Sequence, residues 1–482
     1  LICETVTGRS MAELLAARDA SRDADLVELR LDGIADLDVA GALKARPFPV
    51  VVTCRPVWEG GRFDGAEEDR LAVLEQALAL GAEYVDVEWR AGFEALVRTH
   101  GPRIVLSAHD FNRVPSDLAG QARQMRSLGT ALIKVAVMPT RLDELGALRG
   151  VAAGGPAIVI GMGGVGLPTR LLPALFGSQW SYAGAGVAPG QVPARRMVGE
   201  FRFREVQAGT AVYGVVGNNV THSLSPAMHN AAFGAAGIDA VYIPLLAADF
   251  DDFLNFAKTF SVQGASVTIP FKVDALRAAV ETDARARAIG AANTLKRVPS
   301  GFAATNTDVD GFLAPLESLY PGPLTDIRAA VLGAGGSARA AIVGLQSRGA
   351  RVTIHARRSE QARALAEDLG VSAGSWPVQP GNWDLLVNCT PAGSSSAPEE
   401  TPLPDGPFTG TAVYDLTYRP AHEGVSRLLR DARRAGCRTL DGLPMLVAQA
   451  ERQFEWWTGT APRSGVMAHA IEARFHQTAS PS

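Results

Sequence analysis

Along the first two hundred residues, short apolar runs recur at a spacing that leaves room for a helix between them: ICETV (2–6), DLVELRL (25–31), FPVVVTC (48–54), YVDVEW (84–89), RIVLSAH (103–109), ALIKVAV (131–137), AIVIGMG (157–163) and WSYAGAG (180–186). Runs of this length read as strands. The patterns EEDRLAVLEQALAL (67–80) and SDLAGQARQMRSLG (116–129) between them read as helices, so the chain repeats a β/α unit. Eight such units in about 200 residues make a compact (β/α)8 barrel, with an open doubly wound sheet as the alternative.

The strands carry unusual side chains. Because strand residues alternate with period two, Glu28 and Arg30 share one face, as do Asp86 and Glu88, and Ser107 and His109. Each alone reads as an ion pair or a rim residue. Together with Arg55 and Lys134 they form a polar cluster on neighbouring strands, and polar residues near strand ends point into the C-terminal mouth where barrel enzymes keep their active sites. Lys134 stands in the middle of an otherwise apolar run. Desolvation lowers a lysine pKa, and a neutral amine is a nucleophile suited to Schiff-base chemistry. The alternative is a lysine whose stem lies on apolar surface while its head reaches water or a carboxylate.

A new unit opens at AVYGVVG (211–217), after EFRFREVQAG (200–209), which reads as the last barrel helix and a short linker. In NNVTHSLSPAMHN (218–230), Ser223 and Ser225 lie in a strand-to-helix turn with Pro226 where a helix begins. Two hydroxyls and helix N-terminal amides would hold a carboxylate; simple capping by Ser225 is the alternative. GASVTIPFK (264–272), GAANTL (290–295) and TNTDVDGF (305–312) bring Lys272, Asn293 and Asp308 from separate loops, a set that suits a pocket moving a hydroxyl proton. The segment 328–358 then supplies strand, GxGxxA, helix and strand, the dinucleotide fingerprint in its required context. Arg357 and Arg358 stand where an NAD enzyme would place an acid, so the expected cofactor is NADP. GMGGVG (161–166) spells GxGxxG as well, but Pro168 follows at once and glycine-rich SYAGAG comes later in place of a second strand ending in an acid or arginine. It reads as a barrel loop.

A chain of 482 residues predicts two to four domains. The 46 Lys+Arg and 50 Asp+Glu are interspersed, which argues against nucleic-acid or membrane-surface partners. The four cysteines are far apart, indicating neither a disulfide framework nor a zinc site. A cytoplasmic setting is expected, or a plastid if a transit peptide has been removed. No apolar run is long enough to span a membrane.

ELRLD (28–32), TCRPVWEGG (53–61), SAHDF (107–111), KVAVMP (134–139) and FGSQWSYAGAGVAPGQ (176–191) together resemble type I 3-dehydroquinate dehydratase, in order and over about 1–205. The resemblance implies a (β/α)8 barrel, no metal, and an imine between a lysine and the ketone of 3-dehydroquinate. It makes Lys134 that lysine, His109 the proton shuttle and Glu59 the carboxylate that holds the histidine. It makes Glu28, Arg30, Arg55, Arg170 and Gln191 substrate contacts. Val187 departs from the pattern, since a serine or threonine often precedes APGQ in that family. A substrate hydrogen bond is therefore in question there.

The motifs of the second half, with LVNCTPAG (386–393), YDLTYRP (414–420) and DGLPMLVAQAERQFEWWTG (441–459), are similar to shikimate dehydrogenase over about 211–475. That resemblance implies a two-lobed α/β unit, a substrate domain and a Rossmann NADP domain. It implies a catalytic pair Lys272 and Asp308, with Ser223, Ser225, Thr268, Asn293 and Gln449 around the substrate and Tyr418 nearby. Gly333, Ala334, Gly335, Gly336, Ser337, Ala338, Arg357 and Arg358 would hold NADP. The usual Asn-Arg-Thr is Ala356-Arg357-Arg358 here, one arginine kept and a second gained.

The domains expected are 1–208 for the barrel, 211–315 with 443–482 returning to it for shikimate binding, and 316–442 for NADP. The product of the first enzyme, 3-dehydroshikimate, is the substrate of the second, so the expectation is a fused dehydratase and dehydrogenase ending in shikimate. The alternatives are a dehydrogenase that also takes quinate and a non-catalytic regulator of quinate metabolism. The regulator should have lost catalytic residues, whereas Lys134, His109, Lys272 and Asp308 are all present.

Overall fold

The computed structural model describes every residue except 185, 187, 396, 405, 407, 421, 422 and 480–482. Val187 therefore lies outside the described residues. The first eight strands are β1 (Ile2–Val6), β2 (Leu26–Arg30), β3 (Val50–Thr53), β4 (Tyr84–Glu88), β5 (Ile104–Asp110), β6 (Leu132–Val137), β7 (Ala157–Gly161) and β8 (Ser181–Ala183). They follow one another in the order β7-β6-β5-β4-β3-β2-β1-β8, each parallel to its neighbour. This is a nearly closed barrel. Between its two end strands, Gln179 N–H donates to the Ala157 carbonyl (3.0 Å) and Val159 N–H to Ser178 Oγ (3.2 Å).

The period-two pattern explains the interior. Leu26, Val51, Val105, Leu132 and Trp180 pack with Cys3 and Ile158 into an apolar plug. Two residues further along their strands come Glu28, Thr53, Ser107 and Lys134, all buried and all polar. The plug closes one end of the barrel, and the polar layer faces the C-terminal mouth. The predicted helices occur as Glu67–Ala79 and Leu118–Arg126. Three acids in the first turn of the former suit the positive end of its dipole, and Asp117 caps the latter by accepting from Gly120 N–H at 2.9 Å. The last barrel helix is Ala194–Phe201, ended by Arg202 in a left-handed conformation.

The chain divides into two compact units, Leu1–Ser223 with Asp239–Val262, and Leu224–Ile238 with Gln263–Ser482. The first also holds the parallel pair β9 (Ala211–Gly217) and β10 (Ala240–Leu246) and the helix Phe250–Thr259. In the second, β13 (Thr294–Val298) pairs antiparallel with β11 (Gly264–Val267) and β14 (Gly301–Thr305), and β12 (Glu281–Thr282) runs parallel to β14. Helix Leu443–Thr458 returns to these strands. Its Gln453 accepts from Ser266 Oγ (2.7 Å) and donates to Thr294 Oγ1 (3.0 Å), and Trp457 Nε1 donates to the Leu295 carbonyl (2.9 Å).

The remaining strands are β15 (Arg328–Leu332), β16 (Arg351–His355), β17 (Ser372–Ala373), β18 (Leu385–Asn388), β19 (Ala412–Asp415) and β20 (Arg438–Leu440), all parallel, in the order β17-β16-β15-β18-β19-β20. That is the doubly wound dinucleotide-binding arrangement. Among the described residues, no helix is long and apolar enough to cross a membrane.

Candidate functional site

In the barrel mouth a cavity of about 140 Å³ is lined by Glu28, Arg30, Arg55, Glu59, His109, Lys134, Arg170 and Gln191 among others. All eight barrel residues to which the resemblance gives a role meet there. Lys134 Nζ lies 3.1 Å from Asp86 Oδ2 and 3.5 Å from Glu28 Oε1, over the Tyr182 ring at 4.2 Å. The strand pattern left open a desolvated, nucleophilic amine or a lysine whose head reaches water or a carboxylate. In the structure the head meets two carboxylates, from β2 and β4. Glu28 also accepts from Thr5 and Thr53 hydroxyls, each at 2.9 Å. Asp86 accepts from Ser107 Oγ (2.6 Å) and pairs with Arg55 (2.9 Å). Burial alone would raise both carboxyls. For Asp86 the charges of Arg55 and then Lys134 outweigh it and hold the group far below the usual range, and for Glu28 those of Lys134 and Arg30 do the same more weakly.

His109 follows from β5, with Glu59 at the end of a one-turn helix, Val57–Glu59. Glu59 Oε1 accepts the His109 backbone N–H at 2.8 Å and lies 3.3 Å from its Nδ1. The turn ends at Gly60 with φ 79°, where a Cβ would also stand 2.5 Å from the Phe111 ring, so only glycine lets the chain place Glu59 here. Burial, then Arg55 and Lys134, depress the His109 pKa well below its ordinary 6.5. Burial raises the Glu59 carboxyl.

Arg30 is held by Asp32 through two bonds of 2.8 and 2.9 Å. Gln191 bridges Ala188 N–H (3.0 Å) and Thr5 Oγ1 (3.3 Å). Arg170 differs from the other cations. It is buried on the short helix Leu167–Leu171 and donates to the Tyr182 and Pro189 carbonyls (3.3 and 3.2 Å), while among the described residues its Nε has no partner. Burial pushes its pKa down to about 10. A buried guanidinium without a carboxylate is costly, and an anionic ligand would supply the missing partner. The GMGGVG segment is the loop that leads into this helix. A Cβ on Gly166 would fall 2.1 Å from the Gly161 backbone, so its glycines permit a tight barrel loop, as expected from the sequence.

In the second unit, Lys272 Nζ lies 2.5 Å from Asp308 Oδ2. Asn293 Nδ2 donates to Asp308 Oδ1 (2.7 Å) and lies 3.4 Å from Gln449 Oε1. Four predicted residues, Lys272 and Asp308 at the starts of two helices, Gln449 within a third and Asn293 in a loop, thus form one network. Thr268 sits on the loop before Lys272, its carbonyl accepting from Phe271 N–H at 3.0 Å. Ser225 is buried as the first residue of helix Ser225–Ala236, and Leu224 precedes it at the cap. Ser223 falls in the first compact unit. Tyr418 is 36% exposed and makes no hydrogen bond to this network among the described residues.

Beside Lys272 lies the glycine-rich turn: a Cβ on Gly336 would stand 2.9 Å from Lys272 Cδ. The turn joins β15 to helix Gly336–Ser347, whose buried Ala338 leaves space for close packing. A cavity of about 390 Å³ is lined by Gly333, Ala334, Gly335, Arg357, Arg358 and Thr390 among others. A Cβ on Gly333 would approach the Cys389 carbonyl to 3.1 Å, so the turn needs glycine where a backbone must pass close. Helix N-terminal amides at one end and two exposed arginines at the other fit a phosphorylated dinucleotide.

Sequence reasoning missed Arg70. Fully buried on helix Glu67–Ala79, it pairs with Glu88, which in turn pairs with Arg55 at 2.7 Å. Positive and negative groups therefore alternate from Arg70 through Glu88, Arg55 and Asp86 to Lys134. Nothing in EEDR distinguishes that arginine from a solvated one. Asp86 and Glu88 were visible through strand alternation, but without a role. Among the described residues, no group of three or more His, Cys, Asp or Glu side chains could hold a metal ion.

Three family models match the chain: type I 3-dehydroquinase over residues 2–207, shikimate dehydrogenase substrate binding domain over 215–295, and shikimate 5'-dehydrogenase C-terminal domain over 442–472. A chloroplastic bifunctional 3-dehydroquinate dehydratase/shikimate dehydrogenase of Arabidopsis thaliana is 33% identical over 497 residues, covering 95% of this chain and 82% of that protein. An NADP(+) shikimate dehydrogenase of Methanocella arvoryzae is 40% identical over 267 residues, 53% of this chain and 96% of that one. Among solved structures, the shikimate 5-dehydrogenase of Thermus thermophilus, in complex with NADP(H) and shikimate, is 34% identical with a TM-score of 0.49, covering 55% of this chain and 99% of that one.

Proposed function

The chain belongs to the bifunctional 3-dehydroquinate dehydratase/shikimate dehydrogenases, and on that premise we propose that its barrel dehydrates 3-dehydroquinate through an imine on Lys134 and that its second half reduces the resulting 3-dehydroshikimate to shikimate with NADPH. The observation that carries the first step is the meeting of Lys134, His109 and Arg170, whose buried Nε lacks a partner among the described residues, around one cavity. Arg170 takes the ring carboxylate through paired charge-assisted bonds. Arg30, Arg55, Glu28 and Gln191 bind the rest of the ring. Lys134 Nζ adds to the ketone carbon and water leaves, forming the iminium, which draws electrons from the adjacent carbon. His109, neutral at pH 7 because its pKa is depressed, accepts the proton from that carbon and returns it to the β-hydroxyl, which departs as water. Glu59 orients the ring. Hydrolysis of the imine frees Lys134.

In the second half the residues present fit NADP at the glycine-rich turn, with Arg357 and Arg358 on the 2′-phosphate. The cofactor, when bound, supplies the hydride. Lys272 holds the carbonyl oxygen where charge develops and gives it a proton, while Asp308 aims the lysine and Asn293 aims Asp308. Ser225, Thr268 and Gln449 line the shikimate ring, with Tyr418 at the edge. The domains proposed are 1–208, 211–315 with 443–482, and 316–442. A reducing compartment, cytoplasm or plastid, is supported by four free cysteines. The test is consumption of NADPH by the purified protein given 3-dehydroquinate alone. Stoichiometric consumption with shikimate as product is expected; conversion of added 3-dehydroshikimate but not of 3-dehydroquinate would overturn the barrel's assignment.

A further inference from the structure

After β7, the outer layer of the barrel shrinks to two helices of five and four residues, Leu167–Leu171 and Pro173–Phe176. A helix of seven or eight residues covers little over 10 Å of strand, and these are shorter still. Other residues of the same compact unit complete the layer, although they fall in the segment matched by the reductase's substrate domain. β10 packs on helix Leu167–Leu171. Phe260, just beyond helix Phe250–Thr259, meets Phe176 with ring centroids 4.7 Å apart.

Two further contacts reach the mouth. The Asp252 carboxylate, fully buried, accepts N–H groups from Leu142 (3.0 Å) and Asp143 (2.8 Å) in the loop that follows the Lys134 strand, as well as from Ala248 (3.0 Å) beside it. Both oxygens are therefore filled by backbone donors whose positions they fix, and leaving such a group unmatched is costly. In the loop that leads to Arg170, a Cβ on Gly164 would stand 2.9 Å from Leu246 Cδ2 and 3.0 Å from Thr221 Cγ2. That loop rests directly on the end of β10.

We propose that residues 239–262 are a structural part of the dehydratase, and that Asp252 is a positioning residue for dehydration, holding the mouth loops on the Lys134 and Arg170 side. The kinetic part of this inference rests on the dehydratase reading of the barrel. The test uses the full chain carrying Asp252→Asn, and separately Gly164→Val. Each is expected to raise KM for 3-dehydroquinate on the order of tenfold while kcat changes less than about threefold, because the substrate's carboxylate end is displaced while Lys134, within β6, and its partners on β2 to β5 are not. Lowered thermal stability with KM unchanged would overturn the positioning role. Hydrogen exchange of the unmodified chain gives a second measurement that does not depend on the variants folding. The Leu142 and Asp143 amides are expected to be as protected as those of β6, and loop-like exchange would overturn the inference. If the unmodified chain does not dehydrate 3-dehydroquinate, the barrel's assigned reaction falls instead, and the exchange pattern still decides whether Asp252 holds the loop.

Discussion

Lys134 can sit inside the barrel because Asp86 and Glu28 share its charge, and His109 can serve as a base because nothing pairs with its protonated form strongly enough to offset burial beside Arg55 and Lys134. Unfolded, His109 titrates near 6.5; folded, it titrates well below that value. Between the two values the unfolded chain binds more protons, so this residue's contribution makes stability rise with pH across that window, with the penalty gone above 6.5. The acid limb of dehydratase kcat/KM is accordingly expected below pH 6.5, and a limb at or above that pH would contradict a neutral base. In the reductase, Lys272 and Asp308 are expected to act as one unit. Lys272→Ala and Asp308→Asn should each cut turnover strongly, and the double variant should lose much less than the product of the two effects. Multiplicative losses in a double-mutant cycle would separate them.

Among the elements, the strands were legible and the helices after β7 were not. Period-two alternation put Glu28 with Arg30, Asp86 with Glu88 and Ser107 with His109 on shared strand faces without reference to anything distant, and β1 to β8 fall on the predicted runs, β5 ending one residue beyond its own. The shortened helices Leu167–Leu171 and Pro173–Phe176 depend on cover from a segment some eighty residues away, which no local pattern encodes. The two glycine motifs were separable because context differs: one follows a strand and opens a helix of twelve residues, the other closes a tight loop. Arg170, on helix Leu167–Leu171, yields the element's own prediction. Replacing it with Met removes a buried charge that lacks a carboxylate, so melting temperature is expected to hold or rise. KM for 3-dehydroquinate should rise roughly 10–100-fold, matching the ~1.5–3 kcal/mol of hydrogen bonds to a charged group. A drop in melting temperature with unchanged KM would show that Arg170 serves the fold alone.

At the scale of the whole molecule, the fused reading came from two sets of motifs in order, whereas the buried pairing of Arg70 with Glu88 and the Asp252 contacts needed the fold, since each joins segments whose local sequence is unremarkable for a charged helix. Cofactor choice belongs to this scale because it sets which cellular pool drives the pathway step. Changing both Arg357 and Arg358 to Ala is expected to weaken NADP far more than NAD, each arginine contributing ~1.5–3 kcal/mol through charge-assisted bonds. Equal use of NADP and NAD by the unmodified protein, measured as kcat/KM for shikimate oxidation, would contradict that assignment. The central claim is that one chain carries two independent chemistries, the first through an imine on Lys134. Its most direct measurement is borohydride reduction in the presence of 3-dehydroquinate, followed by peptide mass mapping, on the unmodified chain and on Lys134→Ala. A ligand-derived adduct on Lys134, absent from Lys134→Ala, with dehydration abolished and NADP-dependent shikimate oxidation retained, is the expected result. A Lys134→Ala protein that still dehydrates 3-dehydroquinate at the unmodified rate would contradict it.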